Sequence, residues 1–304
     1  MMSFVMEVAY ITCSMRVIAF KLFIAKVVIL RSRFNFVTYF AEGGLSQDEK
    51  RTLLTQSENK LSPAVKAQFE DAMSLFTTRS EVEAVNLSHL VALNQTCAWI
   101  MARHDGGSAA IKVEADKAGG MESYVVPARG AKVILTRNIC QELGLEISKA
   151  FSGFRLPVRN FGTILNLNLV NATTGILEDI IWAPDFTRSE LPTIAFVSCP
   201  TYTGPTLWYS EPREGFPNGI PIVSLKTTFE INGQTMSRTQ LLLRLAWAVT
   251  VHKSQGLTLP KIKLGLGKRE FSTGLTFVAL SRVKDLDDIM FVDQLEFDWI
   301  FCSN

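Results

Sequence analysis

No G-x-x-x-x-G-K followed by Ser or Thr occurs in the 304 residues, so the chain has no phosphate-cradling loop and no lysine of that kind. Its one early acidic pair, Asp48-Glu49, follows Ser46-Gln47 with no apolar strand before it, and does not read as a magnesium-holding pair. Cysteine is scarce. Cys13, Cys97, Cys140, Cys199 and Cys302 are odd in number, widely spaced and without a C-x-x-C pair. That excludes a disulfide framework or a structural zinc site as the organising device, leaves no expected protein metal site, and fits a reducing intracellular compartment. A broad basic surface is also missing. Residues 1–40 carry five Lys/Arg against Glu7, so the remaining 26 basic and 28 acidic residues leave a net charge of −2. A protein that coats duplex DNA needs the opposite balance, so any nucleic-acid contact must lie in a local groove. Finally, the apolar stretch Val17–Leu30 is interrupted by Lys21 and Lys26. Spanning a bilayer takes about 20 apolar residues, and a lysine at mid-membrane costs about 2.5–3.5 kcal/mol, so no stable membrane association is expected.

What is present, from about residue 42 onward, is an interrupted α/β pattern. Ser62-Pro63 forms an N-cap and N1 pair ahead of Ala67, Phe69, Ala72 and Met73. Leu75-Phe76-Thr77-Thr78 predicts a short buried strand. Ser80 and Glu83 predict a capping box opening a helix with Val82, Val85 and Leu90. Between about 120 and 235, Gly and Pro punctuate short β-type runs: Tyr124–Val126, Lys132–Thr136, Ile180–Trp182, Ile194–Ser198 and Ile222–Leu225. From Met236 the α/β texture returns. The expected elements are a strand over Leu241–Leu243, a helix over Leu245–Gln255 and a strand through Ile262, Leu264 and Leu266. A helix over Thr273–Val283 and a last buried strand over Ile289–Val292 follow.

Two segments carry candidate chemistry. In Ala246–Thr258, a helix would bring Thr250, Lys253 and Ser254 to one face at i, i+3 and i+4. Two hydroxyls and an ammonium suit phosphate oxygens without reading base identity, and Gly256 would admit a close approach. Taken alone, the same residues also read as a solvated helix end with a satisfied His252. In Thr276–Val283, Arg282 ends an apolar helix beside Ser281, an arrangement that by itself fits a surface ion pair as readily as a site.

The order of motifs is what resembles a family, the petite-integration-frequency (Pif) ATP-dependent DNA helicases, a RecD-related 5′-to-3′ branch of superfamily one. The branch spread with Helitron-type elements is the most similar. Leu75–Asn86 resembles motif four, and Leu245–Thr258 and Phe277–Val283 resemble motifs five and six. Asp116–Glu122, Gly130–Asn138, Leu169–Gly175 and Tyr202–Pro205 resemble parts of a small inserted β-barrel. The implied fold is α/β, a RecA-like parallel-sheet domain with an inserted small antiparallel β-barrel. The implied division is an unmatched apolar leader over 1–41 and a first part of the second RecA-like domain over 42–120. A β-rich SH3-like insert over 121–235 follows, with 146–168 a further insertion, and the rest of the domain occupies 236–304.

The resemblance implies roles for single residues. Thr250, His252, Lys253 and Ser254 would hold the phosphates of single-stranded DNA, and Gln255, Gly256 and Ser281 would couple that grip to the nucleotide. Arg282 would be the arginine finger facing the γ-phosphate, a device worth about 10³–10⁵ in rate in related chemistry. ATP and Mg²⁺ are the cofactors of the intact family motor, and the expected setting is the nucleus or mitochondrion, in DNA repair, recombination or telomere maintenance. Without a phosphate-cradling loop the fragment is expected to be inactive alone, its partner being a missing N-terminal motor domain. The alternative is a non-hydrolysing single-stranded-DNA-binding remnant of a mobile-element helicase.

Overall fold

The computed structural model describes residues 47–136, 158–159, 173–183, 190–200, 208–209, 219–267 and 275–293. The leader expected over 1–41, most of 146–168 and the turn expected at Tyr202–Pro205 lie outside the described residues. Among the described residues, no helix is long and apolar enough to cross a membrane, and no three His, Cys, Asp or Glu side chains cluster as a metal site. The architecture is mixed α/β, a parallel sheet whose sequence is interrupted by antiparallel sheets. Two compact units result, one formed up to Val82 and again from Val249, the other by Glu83–Ala248.

The first unit is built on a four-stranded sheet in the order Ala248–Thr250, Met73–Phe76, Ile262–Gly265, Ile289–Phe291. Met73 lies opposite Ile262, and Ile262 opposite Ile289, in parallel register. Met73–Phe76 is buried along its whole length, as is usual for parallel strands covered on both faces. A Cβ on Gly265 would stand 2.5 Å from Phe76 Cδ1, so the missing side chain lets the Phe76 ring lie against the end of its neighbour strand.

Helix starts follow local signals. Ser62 accepts a hydrogen bond from the Val65 N–H, with Pro63 at N1 of Pro63–Ala67. The capping box falls two residues earlier than Ser80 and Glu83, because the next helix, Arg79–Ala92, opens at Arg79. The Thr78 hydroxyl accepts from the Glu81 N–H at 3.3 Å and donates to the Glu81 carboxylate. Thr78 and Glu81 have the same three-residue spacing as Ser80 and Glu83, so the pattern alone fits both registers.

The largest departure concerns the expected helix over Leu245–Gln255. In its place stand the strands Leu243–Leu245 and Ala248–Thr250, followed by a single 3₁₀ turn, Val251–Ser254. Val249, Thr250 and Val251 are consecutive β-branched residues, stiff in a helix and well suited to a buried strand. The helix expected over Thr273–Val283 is described only as Leu275–Leu280, with five of its six side chains buried.

In the second unit, strands come from both sides of residues 121–235. A five-stranded antiparallel sheet runs Ile220–Ile222, Ile194–Ser198, Thr174–Ile181, Lys132–Leu135, Leu243–Leu245. A three-stranded sheet runs Ser224–Ile231, Gln234–Leu241, Arg103–Asp105. Its hairpin turns on Asn232 and Gly233, both at positive φ (51° and 75°), the two-residue turn whose twist matches the strands. The core gathers Met121, Val133, Leu135, Leu177, Ile194, Val197 and Leu242, among others.

Asn86 and Arg238 are among the polar groups buried in this unit. Asn86 donates to the Ala248 carbonyl and accepts from the Ala248 N–H, both at 2.9 Å, so one amide satisfies a whole backbone residue. Arg238 is fully buried and donates to the carbonyls of Met121 (2.7 Å), Ala110 (3.0 Å) and Val113 (2.7 Å), and from Nε to His104 Nδ1 (3.3 Å).

Candidate functional site

The residues singled out from motifs five and six meet inside the first unit. Thr250 ends its strand in extended backbone (φ −72°, ψ 148°), and Val251–Ser254 then makes a tight turn that ends at Gln255 (φ −58°, ψ 127°). Thr250, Lys253 and Ser254 therefore do not share a helical face. Thr250 and Ser254 are buried, Lys253 is half-buried, and His252, Gln255 and Gly256 are exposed. The Ser254 hydroxyl donates to the Val251 carbonyl at 2.7 Å and so closes the turn from within. Gly256 has φ +88°, a left-handed conformation that favours glycine. A Cβ there would meet nothing within 4 Å, so the backbone angle and not crowding is what calls for glycine at this position.

Arg282 closes the site from the other side. It follows the buried helix Leu275–Leu280, which packs against the Val251–Ser254 turn, and it is only 6% exposed. Its Nε donates to the Val278 carbonyl (2.8 Å), and Nη1 donates to the carbonyls of Ser254 and Leu257 (3.2 Å each). Nη2 donates to Ser281 Oγ (2.7 Å), and that hydroxyl in turn donates to the Val278 carbonyl (2.9 Å). The Leu259 N–H donates to the Arg282 carbonyl at 2.8 Å, so side chain and backbone both tie helix to turn.

The electrostatics are one-sided. Burial pulls the Arg282 pKa below its ordinary value, yet a guanidinium stays protonated at neutral pH. No carboxylate pairs with it among the described residues, and carbonyl dipoles alone balance the charge. A guanidinium has five N–H donors and the bonds named engage four, which leaves one Nη2–H. The group can thus meet one anionic oxygen as it stands, and a bidentate contact requires the turn carbonyls to release Nη1. Nothing in the sequence marks Leu257 or Leu259 as members of the site, because they act through backbone atoms that every residue has.

No family model matches the chain. It is similar to the ATP-dependent DNA helicase PIF6 of Trypanosoma brucei brucei, 42% identical over 71 residues, which are 23% of this chain and 9% of that protein. To the human ATP-dependent DNA helicase PIF1 it is 49% identical over 61 residues, 20% of this chain and 9% of that one. Among solved structures, the Pif1 helicase of Candida albicans superposes with a TM-score of 0.54 at 21% identity, covering 85% of this chain and 52% of that chain. Bacteroides Pif1 bound to single-stranded DNA gives a TM-score of 0.54 at 19% identity, covering 89% and 50%. The chain thus spans about half the length of these solved neighbours. The structures carry the fold, the RecA-like arrangement of those helicases, and the segment matches carry the kinship. Over segments of 61–71 residues this chain is therefore similar to Pif helicases, and its fold is similar to about half of the solved Pif1 chains.

Proposed function

We propose that this chain is the C-terminal portion of an ATP-dependent 5′-to-3′ DNA helicase, its first unit gripping single-stranded DNA and presenting Arg282 to nucleotide. The observation that carries this reading is a buried cation with no carboxylate partner among the described residues, bonded to the turn that resembles the strand-gripping motif. Thr250, His252 and Lys253 hold strand phosphates, and Ser254 takes part through its carbonyl, since its hydroxyl is spent inside the turn. Gln255 and Gly256 shape the exposed rim, and Ser281 holds Nη2 in place. A shift of the turn on binding a strand moves the carbonyls that hold Nη1, which couples grip to the arginine.

A helicase cycle also needs a phosphate-cradling loop and a magnesium-holding acid pair, which a first motor domain supplies in the family. This sequence has neither, so residues 1–304 alone neither hydrolyse ATP nor unwind DNA. The exposed His252–Gly256 rim supports a second reading within the same site, a single-strand-binding remnant that never turns over nucleotide.

Binding of a labelled oligothymidylate to the purified chain, followed by fluorescence anisotropy across a salt series, tests both. The expected result is affinity that falls with salt, with a log–log slope near −0.7 for each phosphate contacted. A Thr250→Ala/His252→Ala double variant should bind more weakly with a shallower slope. Absence of binding at low salt, or an unchanged slope in the double variant, removes the strand-gripping role.

A further inference from the structure

The second unit carries an aromatic surface for which its own fold has no use. Along Trp99–Arg103 exposure alternates: Ile100 and Ala102 are buried, whereas Trp99 (63% exposed), Met101 (51%) and Arg103 point outward. Tyr124 lies opposite Met101 in antiparallel register and is 40% exposed. The rings of Trp99 and Tyr124 stack with centroids 4.8 Å apart and planes within 6°. The Trp99 indole N–H donates to Met101 Sδ at 3.0 Å, which fixes the ring plane. A cross-strand aromatic pair contributes about 0.2–1 kcal/mol to pairing and can do so with its faces covered. Here one flat face of the indole is covered by Tyr124 while most of the residue stays open to solvent.

The charges beside the platform are arranged for an anion. Arg103 continues the outward alternation four residues after Trp99, where the chain enters the three-stranded sheet, and makes no ion pair among the described residues. Lys226 lies one strand further, through the Arg103–Thr239–Lys226 register. The acids nearby are occupied. Asp105 accepts from Lys226 (2.7 Å) and Ser237 (2.6 Å). Glu122, two residues before Tyr124, lies 2.8 Å from Arg244 Nε, a contact of charges whose N–H is not aligned as a hydrogen bond.

We infer that Trp99 and Tyr124 form a stacking platform for a base of single-stranded nucleic acid, with Arg103 on the adjoining phosphate. A flat, rigid π-face beside a cation suits a strand of any sequence, because every base has a π-face. The inference rests on the single-strand reading above but names a different place, in the other unit.

The test uses the whole chain and oligothymidylate. Trp99→Ala should weaken binding roughly five- to hundredfold, the range for losing one stacked base, with the salt slope unchanged. Trp99→Phe should stay within about threefold of the parent, since a phenyl ring still stacks. Ultraviolet cross-linking of a thiothymidine oligonucleotide to the unaltered chain should map to the peptides holding Trp99 or Tyr124. Parental affinity in Trp99→Ala, with loss only in Thr250→Ala/His252→Ala, overturns the platform and leaves the grip standing. Cross-links confined to Val251–Leu257 do the same. If the unaltered chain binds no strand, both readings fall. Self-association of the chain that disappears in Trp99→Ala overturns the platform in favour of a protein contact.

Discussion

At the scale of single residues, the two buried arginines meet the same physical problem in the same way. Arg238 and Arg282 are each enclosed by backbone carbonyls, with no carboxylate hydrogen-bonded to either among the described residues. Carbonyls offer many weak acceptors at fixed positions, so each arginine ties together backbone segments distant in the chain. Arg238 has one further acceptor, His104 Nδ1, and this makes the second unit sensitive to acid. Burial, and then the Arg238 charge, hold the His104 pKa below its ordinary 6.5. The imidazole is therefore neutral when folded and more readily protonated when unfolded. Its stabilising effect is complete above about pH 6.5 and is lost as pH falls from there towards the lower folded pKa. The urea midpoint should drop between pH 7.5 and 5.5, and His104→Gln should flatten that dependence. An equal drop in both proteins contradicts the assignment.

At the scale of elements, an internal polar contact holds what hydrophobic burial leaves loose. The helix Arg79–Ala92 buries only Asn86 and Leu90, and Leu87 and Val91 are exposed. Its hold on the chain around Ala248 therefore rests on the paired Asn86 bonds and on the His89–Trp247 ring stack (centroids 5.4 Å apart) more than on an apolar stripe. Asn86→Ala leaves a buried N–H and a buried carbonyl unsatisfied, at roughly 2–4 kcal/mol. Asn86→Asp keeps an acceptor but, when ionised, sets a buried carboxylate against the Ala248 carbonyl. It should therefore cost at least as much as Asn86→Ala at high pH and less at low pH, where the protonated acid can donate. Chemical denaturation of the three proteins checks the order, and a change below 0.5 kcal/mol in Asn86→Ala contradicts the bracing role. The stretch Leu245–Gln255 belongs to this scale as well. A helical period and a buried strand followed by a turn both account for its apolar positions, and only the neighbouring strand Met73–Phe76 decides between them.

At the scale of the whole molecule, catalysis and stability separate. ATP turnover by purified residues 1–304 should match the buffer rate with or without Mg²⁺, and Arg282→Ala should leave it there. The same substitution should lower folding stability by about 2–4 kcal/mol, because it removes three hydrogen bonds to backbone carbonyls and empties the space of a buried side chain. A phosphate-release assay beside a denaturation curve reads both. Hydrolysis above background that vanishes in Arg282→Ala contradicts the proposal that this chain lacks a working nucleotide site.

The sequence by itself determined the local punctuation, the resemblance to Pif helicases and the identity of the groups that could do chemistry. Ser62-Pro63, the short apolar run around Leu75 and the alternation Ile262, Leu264, Leu266 are local signals, because capping and sheet pleat act over a few residues. Only the tertiary structure decided what those groups face. It set Ala248–Thr250 beside Met73–Phe76, turned the Ser254 hydroxyl inward and aimed Arg282 at carbonyls 25 and 28 residues away. It also left the Trp99 face open while burying Ile100 beside it. Backbone acceptors have no residue identity, and exposure depends on partners distant in the chain, so neither can be read from the order of side chains alone.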